Sequence, residues 1–383
     1  MGDWFKLVFG VPEPDFDQVK NHFKINEKSG ETELSINDKK WMLGPFSTPR
    51  LDQLRERHNP NEGNNDQSKM RVQIIRGDVQ NLHIKPENNY ATFQVASQFN
   101  ALEMIGPGGS PEHGITNYAR DRTQGPACCL CSAPAILIRN YFTNQTTEKQ
   151  LNLLYDAQSY LDSDHKFQNS EIRSDNSVDI YKNEVVLPPT DSPSNHCRYF
   201  DILSGYTISN QEKLSKIPES KISCDEFKSK IRIAIHEDIP VTATNWGKNI
   251  IKETDNKYLP KVTHVLSAAA AVSYNRGNDS AWKPLASSIL SASYESTILA
   301  AFENKVRNFE KDDGKGSKRV FLTFVGGGVF GNRSDWINNA IAEACLKYFY
   351  FDLNVFLVSY GNPDARLMGF VTDLNKKIGK LKR

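Results

Sequence analysis

Nowhere in the 383 residues does an apolar run approach the ~18 needed to cross a bilayer as a helix, so no transmembrane helix is expected. An excess of charge is missing too. The 47 basic and 46 acidic residues leave a formal charge of +1. That excludes a whole-protein electrostatic trap for nucleic acid or a membrane surface, and neither is expected as a partner. Any anion site has to be local. Cysteines are few: Cys128, Cys129, Cys131, Cys197, Cys224 and Cys345. Three crowd into CCLC, which is not a zinc spacing, and no second pair answers it. They read as reduced, buried small hydrophobes of an intracellular protein, cytoplasmic rather than nuclear. The opening MGDWFKLVFGVPEPDF has acidic residues and a proline close behind its apolar run, unlike a signal peptide. Lys6 stands where a myristoylation signal needs a small residue. The chain has no internal repeat and no low-complexity block.

What is there reads as an ordinary globular chain, 24% charged and 38% hydrophobic, long enough to bury a real core. Residues 1–69 look like a small α+β module. WFKLVFG reads as a strand and PDFDQVKNHF as a helix. KINE, ETELSIN and KKWMLGPF form a meander, TPRLDQLRER a second helix, and NPNEGNNDQSK a linker. From Met70 to the end, strands alternate with helices. MRVQIIRGDV, YATFQVAS, IRIAIHEDI, KVTHVLSAAAAVSY, VFLTFVGG and LNVFLVSY are strand-like. QGPACCLCSAPAILIRNYF reads as one long buried helix. SSILSASYESTILAAFENKVRNF, SDWINNAIAEACLKYFYF and the basic tail are helices, and NRGNDS is a turn. Residues 143–230 are polar and irregular, with helical pieces near QLNLLYDAQSYL and NQEKLSKI. The alternation predicts an α/β layer fold on a largely parallel sheet.

Three stretches at predicted strand ends carry chemistry. VGGGVFGN sets Gly326, Gly327, Gly328 and Gly331 between a strand and a helix, with Val329, Phe330 and Asn332 among them. Backbone without Cβ approaches a diphosphate closely, and the following helix adds positive potential. It is not a P-loop, since no Lys-Ser/Thr follows, and not a GxGxxG fingerprint. A packing turn is the structural alternative. IIRGDV runs a strand into Asp78 and Val79, and QVASQFN brings Ser97, Gln98 and Asn100 just past another strand. Each of these also has a plain role as turn or cap.

In order and position, the three stretches resemble the macrodomain family, the ADP-ribose-binding α/β/α sandwich. GDV matches the family's Gly-Asp-Ile element, so the resemblance gives Asp78, beside Val79, to adenine. QVASQFN is similar to the Asn-bearing first loop and puts Asn100 near the distal ribose. GGGVFGN is similar to the diphosphate loop. The likeness spans residues 70 to about 365, with 143–230 as an insertion, and departs in the first loop, where Ser-Gln-Phe-Asn replaces a double Asn. It implies ADP-ribose or an ADP-ribosylated protein as ligand, with no redox cofactor and no obligatory metal.

Whether such a site cuts or only binds turns on ALEMIGPGGSPEHGITNYARDRTQGPACC. Glycosidic cleavage at the ribose C1 needs two carboxylates, one to assist departure and one to position water. This stretch offers Glu103, Glu112 and Asp121. Asp121 can equally cap the next helix. DRTQGPACC and SQFNALE resemble an enlarged macrodomain branch of ADP-ribosyl hydrolases acting on arginine, which implies Glu112 and Asp121 as catalytic and Glu103 as a third candidate. The glycine triplet followed by adjacent glutamates of poly(ADP-ribose) glycohydrolases is absent, which argues against chain degradation. A hydrolase of mono-ADP-ribosylated arginine is therefore expected, a non-catalytic reader or a hydrolase of small conjugates being the alternatives. His264 reads as core, HEDIP as lacking partners at metal-ligand spacing, and Asp162, Asp164 and His165 as a solvated loop.

Overall fold

The structure is a computed structural model describing residues 3–28, 30–58, 69–163, 197–252, 258–275, 279–312 and 314–381. The chain opens with α1 (Trp4–Phe9) and α2 (Phe16–His22), then an antiparallel meander of β1 (Lys24–Lys28), β2 (Glu31–Ile36) and β3 (Lys39–Leu43). A short β4 (Phe46–Ser47) and α3 (Leu51–Arg57) follow. Next come β5 (Arg71–Arg76), α4 (Val79–His83), β6 (Thr92–Ala96), α5 (Gln124–Cys131), α6 (Ala133–Leu137) and α7 (Tyr155–Asp162). The inserted region continues with a hairpin, β7 (Asp201–Leu203) and β8 (Tyr206–Ile208), and three short helices, α8 (Gln211–Ser215), α9 (Glu219–Ile222) and α10 (Asp225–Ser229). The chain then runs through β9 (Ala234–Pro240), a small hairpin of β10 (Ala243–Thr244) and β11 (Asn249–Ile250), and β12 (Lys261–Ser267). It closes with α11 (Asp279–Asp312), β13 (Arg319–Leu322), α12 (Ser334–Lys347), β14 (Asn354–Ser359) and α13 (Ala365–Lys380).

One seven-stranded sheet organises these elements in the order β4-β9-β12-β6-β13-β14-β5. The five strands from β12 to β5 are mutually parallel, while β9 runs antiparallel to β12 and to β4. Thr92, Phe93, Gln94 and Val95 of β6 are all buried, as expected of a parallel strand covered on both faces. Helices α4, α5 and α6 pack on one another and against β6 and β9. Helices α11, α12 and α13 form a second set against β12, β13 and β5. The result is an α/β/α sandwich, as the strand–helix alternation predicts. No helix among the described residues is long and apolar enough to cross a membrane.

Several local readings change. WFKLVFG is helix α1, not a strand: Asp3 caps it by accepting from the Lys6 amide, Gly10 ends it at φ 85°, and Trp4, Phe5, Val8 and Phe9 form its buried face. The long helix from Gln124 is broken. Ser132 leaves helical geometry at ψ 61°, and α6 restarts with Pro134, which has no N–H to continue the ladder, before a π turn at Ile138–Phe142. The N-terminal residues are joined to the rest by β4, which pairs with β9, and Trp4 to Phe9 belong to the same continuous core as β6 and β12. The expected linker at 59–68, Asp164 and His165, and residues 276–278 of the NRGNDS turn lie outside the described residues.

Candidate functional site

Parallel strands deliver their C-terminal ends to one edge of the sheet, and ligands of open α/β sheets bind there. That edge here carries Gly77–Val79 after β5, residues 97–121 after β6, 268–275 after β12 and 323–333 after β13. Asp78 and the glycine-rich loop are thus two strand positions apart, about 10 Å along the sheet.

The glycine-rich loop is pinned at both ends. From α11, the Tyr294 hydroxyl donates to the Thr323 carbonyl at 2.7 Å and accepts from the Val325 amide at 3.0 Å. At the far end the buried Asn332 amide donates to the Ala270 carbonyl at 2.7 Å and to the Gly326 carbonyl at 3.3 Å, closing the loop on itself. Between these anchors the amides of Gly328, Val329 and Phe330 donate to no acceptor among the described residues. Gly327, Gly328 and Val329 are exposed. Gly326 sits at φ 73°, where a Cβ would stand 2.5 Å from the Ala269 Cβ, and Gly331 at φ 72° presses on Ser273. Unbonded successive amides ahead of a 14-residue helix, α12, offer donors suited to an anion. Gly326→Ala is expected to cost about 1–3 kcal/mol through local strain, measured by urea denaturation.

Asp78 caps α4, accepting from the Gln80 amide at 2.9 Å, and is half-buried. Beside it, Val79 is buried, and the Gln80 side chain accepts from the Trp246 amide at 2.7 Å. The Arg122 guanidinium lies over the Trp246 ring, 4.3 Å from its centroid.

The loop after β6 folds inward. Asn100, expected beside a ribose, is fully buried: it donates to Gln150 Oε1 at 2.8 Å and accepts from the Leu102 amide at 3.0 Å. Gln98 pairs with both amide and carbonyl of Met104, at 3.0 and 2.6 Å. Glu103 follows them into the interior and is 3% exposed. Burial pushes its carboxyl up to about 8, against the pull of Arg139 and bonds from Ser97 and Cys129, and the charge of Asp121 adds to the rise. The first turn of α5 passes close by; a Cβ on Gly125 would stand 2.4 Å from Glu103 Oε2. Beneath, the Arg139 guanidinium, itself buried, donates to Cys129 Sγ at 3.1 Å, and the Cys129 thiol donates to Glu103 Oε1 at 3.6 Å.

The three candidate carboxylates are not equivalent. Glu103 and Asp121 are close enough for the charge of one to perturb the other. Asp121 is half-buried at the approach to α5, accepting from the Thr123 amide at 3.1 Å. Glu112 is exposed on a 3-10 turn, its carboxylate accepting from the Thr147 amide and hydroxyl at 2.7 and 2.8 Å. Those bonds hold it below its usual pKa against the opposing effect of burial. Burial pushes His83 down to about 4, and its Nε2 lies 2.9 Å from His264 Nε2, so both rings are core groups. Among the described residues no group of three or more His, Cys, Asp or Glu is placed to hold a metal.

Sequence reasoning missed an aromatic group at the mouth of this edge. Tyr206 of β8 lies 5.0 Å from Tyr274 and 5.2 Å from Phe330, ring centre to ring centre. Its hydroxyl donates to the Met104 carbonyl and accepts from the Gly106 amide, each at 3.0 Å. A signal was present: Ser204-Gly205, at φ 48° and 76°, is a two-residue hairpin turn between DIL and YTI.

No family model matches the chain, and no curated protein matches it. Among solved structures it is similar to poly(ADP-ribose) glycohydrolase from Thermomonospora curvata, at 10% identity over 94% of this chain and 95% of that one, TM-score 0.42. It is also similar to the Deinococcus radiodurans poly(ADP-ribose) glycohydrolase in complex with ADP-ribose, at 9% identity over 97% and 100%, TM-score 0.40. Likeness of this degree carries no function to the chain.

Proposed function

We propose that the chain binds ADP-ribose along this sheet edge and hydrolyses its glycosidic link to a modified protein side chain. The observation that carries this reading is the pairing of two features at neighbouring strand ends. One is a loop with three unbonded amides, Gly328 to Phe330, suited to a diphosphate. The other is a buried acid raised to about 8, Glu103, whose carboxyl feels the charge of a second carboxylate, Asp121. Asp78 takes the adenine end, and Phe330 packs on the proximal ribose. An acid with a pKa near working pH protonates or orients a leaving group, while Asp121 positions water at C1. Arginine is the linkage this favours: its guanidinium leaves as a cation, which facing carboxylates both hold and help to depart. The neighbours are named for poly(ADP-ribose), but the adjacent glutamates of that signature are missing here, so a side chain carrying a single ADP-ribose unit is the expected substrate.

The 3% exposure of Glu103 favours a second reading, a module that recognises ADP-ribosylated proteins without cutting them. A linkage-resolved panel separates the two: substrates modified on arginine, on glutamate and on serine, with poly(ADP-ribose) chains alongside. Release of ADP-ribose from the arginine substrate is expected. Binding of every substrate without release leaves the reader; chain degradation overturns the arginine assignment.

A further inference from the structure

Residues 111–121 contain only two 3-10 turns, Pro111–His113 and Thr116–Arg120, yet they end on Asp121. Their anchor comes from about a hundred residues upstream. Glu13, between α1 and α2, reaches in with both carboxylate oxygens. Oε1 accepts from the Ile115 amide at 2.7 Å and from the Tyr141 hydroxyl at 2.6 Å, and Oε2 accepts from the Thr116 amide at 2.9 Å. Two successive amides and a phenol converging on one carboxylate form a complete anion cradle, filled by the chain's own side chain. Its geometry depends on Gly114, at φ 72°, where a Cβ would lie 2.8 Å from Glu13 Oε2. Tyr141 is buried, so the cradle is fastened to the core, and Phe16 of α2 packs on its ring at 5.3 Å. A second tie runs beside it: the Trp4 indole N–H donates to the Thr116 carbonyl at 2.9 Å. The 3-10 turn that carries the backbone to Asp121 starts at that same Thr116.

We propose that Glu13 is a positioning residue for the reaction: by plugging the Gly114–Thr116 cradle it fixes the turn that delivers the backbone to Asp121. This rests on the catalytic reading given above. It gives the N-terminal segment a part in the site as well as in the core. A carboxylate that serves only stability and one that positions a reacting group differ in what a small carboxylate from solution does for a truncated variant.

Glu13→Ala leaves two amides and a phenol facing a cavity of carboxylate shape. Hydrolysis of the arginine-linked substrate should fall about 10- to 100-fold in kcat with little change in KM. Sodium formate should restore it in a saturable way, without effect on the wild type, and any rise in the variant's Tm should follow the same saturation. Loss of activity that follows a fall in Tm and resists formate overturns the proposal, as does wild-type turnover in Glu13→Ala. Glu13→Gln, which fills the same volume with one acceptor fewer, keeps the test available if the alanine variant does not fold: a lowered kcat at unchanged Tm supports the proposal, unchanged kcat overturns it. Hydrogen exchange at Ile115 and Thr116 separates this claim from the functional one. Faster exchange in Glu13→Ala, slowed again by formate, supports the anchor even where the wild type cuts no substrate, an outcome that removes the catalytic reading alone. Unchanged exchange removes the anchor.

Discussion

Glu103→Gln is expected to lower turnover by about 10²- to 10⁴-fold while leaving ADP-ribose affinity unchanged. The glutamine keeps the volume of a side chain that is 3% exposed, so packing against Gly125 and Cys129 is preserved and only the acid is removed. The pH profile supplies the sign. In the proposed mechanism Glu103 acts as an acid in its protonated form, and burial lifts its carboxyl to about 8. The wild-type rate should hold below that value and fall as pH rises through it, and the residual rate of the variant should lack this limb. A wild-type rate that instead rises through the same range gives Glu103 the role of a base. Equal turnover in variant and wild type takes it out of the mechanism.

The second large effect concerns stability. Glu295 of α11 is 6% exposed and is the meeting point of three elements. Its carboxylate accepts from Arg55 of α3 at 2.6 and 2.9 Å, from Lys347 of α12 at 2.6 Å, and from the Tyr348 hydroxyl at 2.8 Å. Breaking a buried pair from one side costs about 3–5 kcal/mol, because the partner's charge stays behind. Arg55 keeps Asp225 and Lys347 is half exposed, so Glu295→Ala should fall at the lower end, about 3 kcal/mol by urea denaturation. Burial works to raise the Glu295 carboxyl, but the bonds and charges of Arg55 and Lys347 outweigh it, so the folded group lies below its usual value. Its contribution is therefore full above the unfolded carboxylate range near about 4.3 and is lost as pH falls through the folded value. The wild-type advantage over Glu295→Ala should shrink in acid. A difference under about 1 kcal/mol at neutral pH contradicts the hub.

The inner strands were legible because β6, β12, β13 and β14 are largely apolar and buried, which is how a doubly covered parallel strand is written. Trp4–Phe9 misled because a short apolar run has no period of its own; Asp3 and Gly10, the caps on either side, held the helix signal. The glycine-rich loop announced itself through residue type alone. The pKa of Glu103 did not, because it is lifted by burial against the pull of Arg139 and the Cys129 bond, surroundings that exist only once β6 and α5 are packed. Glu13 was invisible for the same reason: its partners Ile115, Thr116 and Tyr141 are more than a hundred residues away. Asn100 stands just past a strand, as its sequence position indicated, and its side-chain amide bonds to Gln150 and Leu102, partners that residue type alone does not reveal.

The central claim is a diphosphate cradle on the edge that also bears Asp78. Titrating free ADP-ribose into the full chain in a calorimeter tests it most directly, with Gly326→Ala and Asp78→Ala in parallel. One saturable site per chain, weakened in both variants, is the predicted result. Absence of binding heat across several temperatures, or equal affinity in all three proteins, contradicts it.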